Sequence, residues 1–228
     1  MKKLSWLIIA LIFFGFSNHM LAGKGKPFTG KIAYSISYEG KQVADVPEGM
    51  LPTSMAMYIG DGFTKSVLFT GMGKQIVISN IGKKTKTTLI DMMGQQFAIE
   101  SNFEEIQKEM DREKDAEVKV TDETKEIAGY TCKKMILTFK NDKGETKSEN
   151  FAWFTEELEV NPEMNFDQKY FKDVKGVMME YEMDMENDMI MKFTATEVEK
   201  KKVPSKDFDI PEEYKKVTRE ELMNSLGG

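Results

Sequence analysis

Alternation with a period of two is the feature that most narrows what this chain can become. Apolar Ile32, Tyr34, Ile36 and Tyr38 alternate with small Ala33, Ser35 and Ser37. Successive side chains of an extended strand point to opposite faces, so such a run buries one face and wets the other, which no helical stripe does. Met55, Met57 and Ile59 repeat the pattern up to Gly60-Asp61-Gly62, a turn signal, and Phe63 to Phe69 forms the return. Gln75 to Asn80 and Thr85 to Asp91 flank Ile81-Gly82-Lys83-Lys84 as a further hairpin, and Gln95 to Glu100 extends the meander. Asn141-Asp142-Lys143-Gly144 separates a strand over Tyr130 to Phe139 from another over Ser148 to Thr155.

Helix signals are few. Ser101-Asn102-Phe103-Glu104 has the form of a capping box, followed by Phe103, Ile106 and Met110 on one face of a charged segment. Thr218-Arg219-Glu220-Glu221 is a second box, opening a short helix with Leu222 and Leu226 on one side. Thr155 to Lys172 is mixed, with a helical turn at Glu156-Glu157-Leu158 and a loop over a sheet edge expected there. The expected class is mainly β (β-rich α+β): one curved antiparallel sheet with two or three helices packed on it.

The N-terminus sets an expectation about compartment. Met1-Lys2-Lys3 is a short basic stretch, Leu4 to Phe16 is almost wholly apolar, and Met20-Leu21-Ala22 offers a cleavage site. Residues 1–22 read as a secretory signal peptide, leaving 23–228 as a single exported domain with no membrane span of its own. Loss of Lys2 and Lys3 takes the net charge from −6 to −8, a poor match for nucleic acid or an anionic membrane surface. The only histidine, His19, leaves with the leader. The exported chain therefore has neither a Ser-His-Asp or Cys-His mechanism nor imidazole ligands for zinc. Cys132 is the only cysteine, so no internal disulfide forms. Two readings of it stand: a small half-buried hydrophobe, or a reactive or intermolecular thiol.

Val177 to Phe193, "VMMEYEMDMENDMIMKF", concentrates methionine. Met179, Tyr181, Met183 and Met185 alternate with Glu180, Glu182 and Asp184; Glu186-Asn187-Asp188 turns the chain; Met189, Met191 and Phe193 return. The pattern is a hairpin with one thioether and aromatic face and solvated acids on the other. Three readings of that face are open. It is ordinary core; or the wall of an adaptable apolar cavity, since unbranched Met re-packs around varied shapes; or a Cu(I) site built from the pairs Met183/Met185, Met189/Met191 and Met55/Met57.

Thr124 to Lys134, "TKEIAGYTCKK", resembles a motif of an uncharacterised family of exported bacterial domains that is distantly similar to the lipoprotein carriers LolA and LolB. "VKGVMMEYEM" (Val174 to Met183) and "FDIPEEYKKV" (Phe208 to Val217) fit the same family, over about Phe28 to Val217. Relatives often carry a proline where this chain has Gly176-Val177-Met178. The resemblance implies an unclosed half-barrel, a curved antiparallel sheet wrapped around helices, with space for acyl chains between them. It implies no catalytic residues.

Taken together, the expectation is a non-enzymatic periplasmic or secreted protein of a Gram-negative bacterium. It would bind a hydrophobic or lipid-like ligand at Met179, Tyr181, Met183, Met185, Met189, Met191 and Phe193, with no cofactor and no bound metal required. The alternatives are an envelope assembly or stress factor acting through a protein partner, and a Cu(I)-binding protein.

Overall fold

The computed structural model describes residues 27–225 apart from positions 48, 72, 93, 142 and 186–188. The expected signal peptide, the Glu186-Asn187-Asp188 turn and Leu226 lie outside the described residues. The alternating runs become β1 (Gly30–Glu39), β2 (Ser54–Gly60), β3 (Phe63–Thr70), β4 (Gly73–Asn80), β5 (Thr85–Met92) and β6 (Gln95–Ser101). After α1 (Phe103–Arg112) come β7 (Ala116–Ile127), β8 (Tyr130–Lys140), β9 (Thr146–Thr155), β10 (Val177–Asp184) and β11 (Ile190–Lys200). A two-residue β12 (Lys215–Lys216) and α2 (Arg219–Ser225) complete the order.

All twelve strands form one sheet in the order β12-β6-β5-β4-β3-β2-β1-β11-β10-β9-β8-β7. Every neighbouring pair is antiparallel except β12 on β6. The sheet is mainly a meander with one long-range seam, where Gly30 faces Lys200 and Glu39 faces Ile190. It does not close, since β7 and β12 end the order. It does curl. Strand β7 touches β11, four places away in the sheet, and Ile127 and Val198 join one apolar cluster.

Two stretches of chain cover opposite faces. On β2–β6, strand register puts Tyr58, Ile78 and Leu89 on one face, where Val203, Phe208 and Tyr214 of the C-terminal stretch seal them. A Cβ on Gly60 would lie 2.5 Å from the Phe208 ring, so only glycine admits this cover. The other face carries Met57, Ser66 and Ser79, and segment 156–176 lies over it. That segment contains turns and no helix, and it covers a face of the sheet, not the edge expected. Its Leu158, Met164, Phe166 and Phe171 are buried, so apolar anchors at irregular spacing hold it down. Helix α1 shares this face: Ile106 and Met110 pack on Phe166, and Lys86 reaches Glu109 at 2.6 Å.

Two local expectations shift. The N-cap of α1 is Asn102, not Ser101: its side chain accepts from the Glu105 N–H while Glu105 accepts from Asn102 N–H. Asparagine caps as well as serine, and moving the box by one residue lets Ile106 and Met110 face inward while Phe103 is left exposed. The Thr218–Glu221 box forms as expected. Strand β7 was not expected, because its alternation is between Glu117, Lys119 and the exposed Val118 and Val120, the composition of a sheet edge. Ala128 and Gly129, both at positive φ, form the two-residue turn from β7 to β8.

Candidate functional site

The thioether hairpin forms, with register Met183 to Met191 and Tyr181 to Phe193. Its alternation is broken by a bulge. Against β9, Met178 pairs with Phe154 and Glu180 with Trp153, so Met179 is an extra residue. A bulge sets two residues against one, and here Met178 and Met179 are both buried, at 7% and 0% exposure. Gly176, just before the strand, is held against the chain: a Cβ there would stand 2.4 Å from the Thr155 carbonyl oxygen.

The seven residues nominated from the sequence therefore part company. Met179 and Phe193 are core. Tyr181 stacks on Phe193 at 4.6 Å and meets Tyr34 and Phe171 edge-on. Met191 is half-buried and accepts from the Tyr38 hydroxyl at 3.5 Å. Met185 and the buried Met189 line an open groove of about 720 Å³ with Lys140 and Lys147. Met183 is 47% exposed. The acids are not all solvated either. Glu180 is buried, 2.8 Å from Lys125 and 3.2 Å from Lys192, while Glu182 accepts from the Phe151 N–H and Asp184 from the Asn150 amide.

A thioether-lined cavity exists, built by other methionines. It lies between the sheet and segment 156–176, encloses about 120 Å³, and its wall includes Met55, Met57, Met164, Met178, Tyr34 and Tyr181. Its size is comparable to an apolar cavity of roughly 150 Å³ that holds a benzene. The polar end is Ser79, donating to Asp167 at 2.8 Å. Tyr34 donates to the Met178 carbonyl at 2.8 Å, tying β1 to the bulge. Burial, then the neighbouring Tyr181 and Cys132, pushes the Tyr34 hydroxyl well above its ordinary pKa, and burial raises Tyr181 likewise, so both hydroxyls stay neutral.

Phe171, Tyr181 and Gln168 are shared with a second space, a cleft of about 380 Å³ running out past Tyr170, Leu137 and Asn150 to Met183. That volume is within the roughly 300–1,000 Å³ of small-molecule sites. Tyr170 donates to the Lys114 carbonyl at 2.6 Å, and its hydroxyl is pushed up to about 12 by burial and by Glu113, Asp115 and Asp184. A signal for this second wall was present in the sequence: Tyr170 and Phe171 stand side by side between Lys169 and Lys172.

Cys132 is wholly buried, its thiol facing the Tyr130 carbonyl at 3.4 Å. Burial foremost, with Glu157 adding to it, pushes the thiol up to about 11, which disfavours the reactive thiolate. Among the described residues no three His, Cys, Asp or Glu side chains gather as a metal site, and no helix is long and apolar enough to cross a membrane.

No family model matches the chain, and neither does any curated protein. Two of the solved structures that are similar serve to place the chain. PNGF-II is 17% identical with a TM-score of 0.51, over 86% of this chain and 32% of that one, so this chain spans about a third of that protein's length. A LolA-superfamily protein from Nitrosomonas europaea is 9% identical with a TM-score of 0.30, over 82% of this chain and 92% of that one. The first likeness is one of fold alone, and the second is too distant to carry an argument.

Proposed function

We propose that this chain is an exported, non-catalytic protein of the periplasm or external medium that binds an apolar or amphipathic, lipid-like ligand between its sheet and segment 156–176. The observation that carries this reading is the cavity walled by Met55, Met57, Met164 and Met178, which adjoins the 380 Å³ cleft across Phe171 and Tyr181. Alone, 120 Å³ holds only the end of a ligand. Thioethers re-pack at little cost, so the two spaces can merge around a longer one. The sequence resemblance carried by Thr124 to Lys134, to a family distantly similar to the LolA carriers, points the same way. Of the hairpin residues, Tyr181 would be the shared wall and Met183 the outer lip.

Titration with neutral diphenylhexatriene tests the reading. The native chain should bind it, and Met57→Phe, which fills the cavity, should weaken binding about tenfold. A native chain that does not bind the fluorophore overturns the proposal. A second reading, Cu(I) binding, rests on Met183 and Met191 standing directly opposite on one face. Retention of Cu(I) against a chelator, lost in Met183→Leu, would support it; no retention removes it.

A further inference from the structure

Asn150, on β9, lines the 380 Å³ cleft and is only 4% exposed. Its amide nitrogen donates to Asp184 at 2.9 Å, which fixes the orientation of the group, because a carboxylate accepts and never donates when ionised. The amide oxygen is left without a protein donor among the described residues. A buried acceptor in that condition is costly, and native proteins rarely keep one without a use. Among the described residues one other such atom occurs, the Tyr214 hydroxyl, which sits in the sealed cluster under the C-terminal stretch and lines neither the cavity nor the cleft.

The surroundings define what would satisfy it. Glu113, Glu182 and Asp184 line the same cleft, and each of the last two has spent one oxygen on a neighbour. Of the two lysines there, Lys169 is already held by Asp115 at 2.9 Å. The balance is negative. The walls are aromatic: Tyr170 meets Phe139 at 5.7 Å, and Phe171 meets Tyr181 at 6.0 Å. Acceptors, carboxylates and ring faces together select a cation that carries N–H groups, because ring faces and carboxylates both attract positive charge.

We infer that the cleft binds the protonated amino group of an amphipathic amine, with one N–H on the Asn150 amide oxygen and the apolar tail against Phe171 and Tyr181. This rests on the proposed ligand-binding role and names the ligand's polar end. The half-exposed Met183 side chain covers the outer end and moves aside for it, which an unbranched thioether does readily.

Calorimetry on the full chain with octylammonium, octanol and octanoate tests it. Octylammonium should bind about tenfold more tightly than octanoate, with octanol between them. Asn150→Leu should keep its melting temperature and bring octylammonium to within about threefold of octanol. Should that variant fail to fold, Glu182→Gln with Asp184→Asn should remove the same preference. The inference is overturned if octanoate binds as tightly as octylammonium, or if a folded Asn150→Leu, or the double variant, keeps the preference. Binding of diphenylhexatriene without any preference for the amine defeats this inference alone. Failure of every apolar probe defeats the ligand-binding role with it.

Discussion

The two halves of the sheet are built to different standards. From β1 through β6 every ladder runs without a register shift. From β1 across β11 to β7, four of the five ladders contain one. The regular half is sealed on one face by aliphatic and aromatic side chains of the C-terminal stretch. The bulged half holds the buried Glu180, the buried Cys132, the orphaned Asn150 oxygen and the wall residues Met178 and Tyr181. Bulges re-aim side chains at the expense of ladder hydrogen bonds. The comparison teaches that the regular half is sealed on one face and walls the cavity with the other, while the bulged half gives up ladder regularity to complete that wall and the cleft beside it.

That contrast can be broken most forcefully by truncation. Leu89→Ala, in the regular half at 1% exposure, should destabilise by about 3 kcal/mol in urea unfolding, because close-packed neighbours cannot collapse into the hole. Met178→Ala, in the bulged half beside an existing cavity, should cost about 2 kcal/mol, the low end for such a truncation. Equal losses would show that the two halves are packed alike.

Glu180 sharpens the contrast through pH. Burial alone would raise its carboxyl, but the hydrogen bonds and charges of Lys125 and Lys192 outweigh burial and hold it below the usual range. A depressed carboxyl stabilises the fold above its unfolded value of about 4.3, and that contribution is lost as pH falls through the lower folded value. Glu180→Gln should therefore cost about 1 to 2 kcal/mol at pH 7, discounted for the partly exposed lysines. Urea melts should show the gap narrowing as pH falls below the unfolded value of about 4.3; a gap independent of pH would refute the assignment.

Cys132 should resist iodoacetamide at pH 8 in the native chain and react promptly in urea, because its thiol is buried and raised to about 11. Equal rates would reveal opening of the bulged half. The smallest effect is expected at the hairpin tip. Met183→Leu, at a 47% exposed position, should change stability by less than about 0.5 kcal/mol.

Legibility followed the same division. Turns such as Gly60-Asp61-Gly62 and Ile81-Gly82-Lys83-Lys84 announced the hairpins of the regular half, because turn chemistry and alternation are local. The hairpin at Met179–Phe193 was legible as a hairpin, and its face was not. Met178 and Met179 are both apolar, so the hydrophobic period gives no mark of which residue is extra. Met55, Met57 and Met164 are more than a hundred or just over a dozen residues from Met178 along the chain, and only folding brings them to one wall.

Local composition by itself determined that this chain would form a predominantly antiparallel sheet with two short capped helices, since alternation and caps act between near neighbours. Tertiary structure decided the seam of β1 on β11, the position of the bulge, the cover of opposite faces by segment 156–176 and the C-terminal stretch, and hence where space remains inside. Those are outcomes of long-range packing. A residue's burial depends on what lies across from it, and no local pattern records a partner more than a hundred residues away.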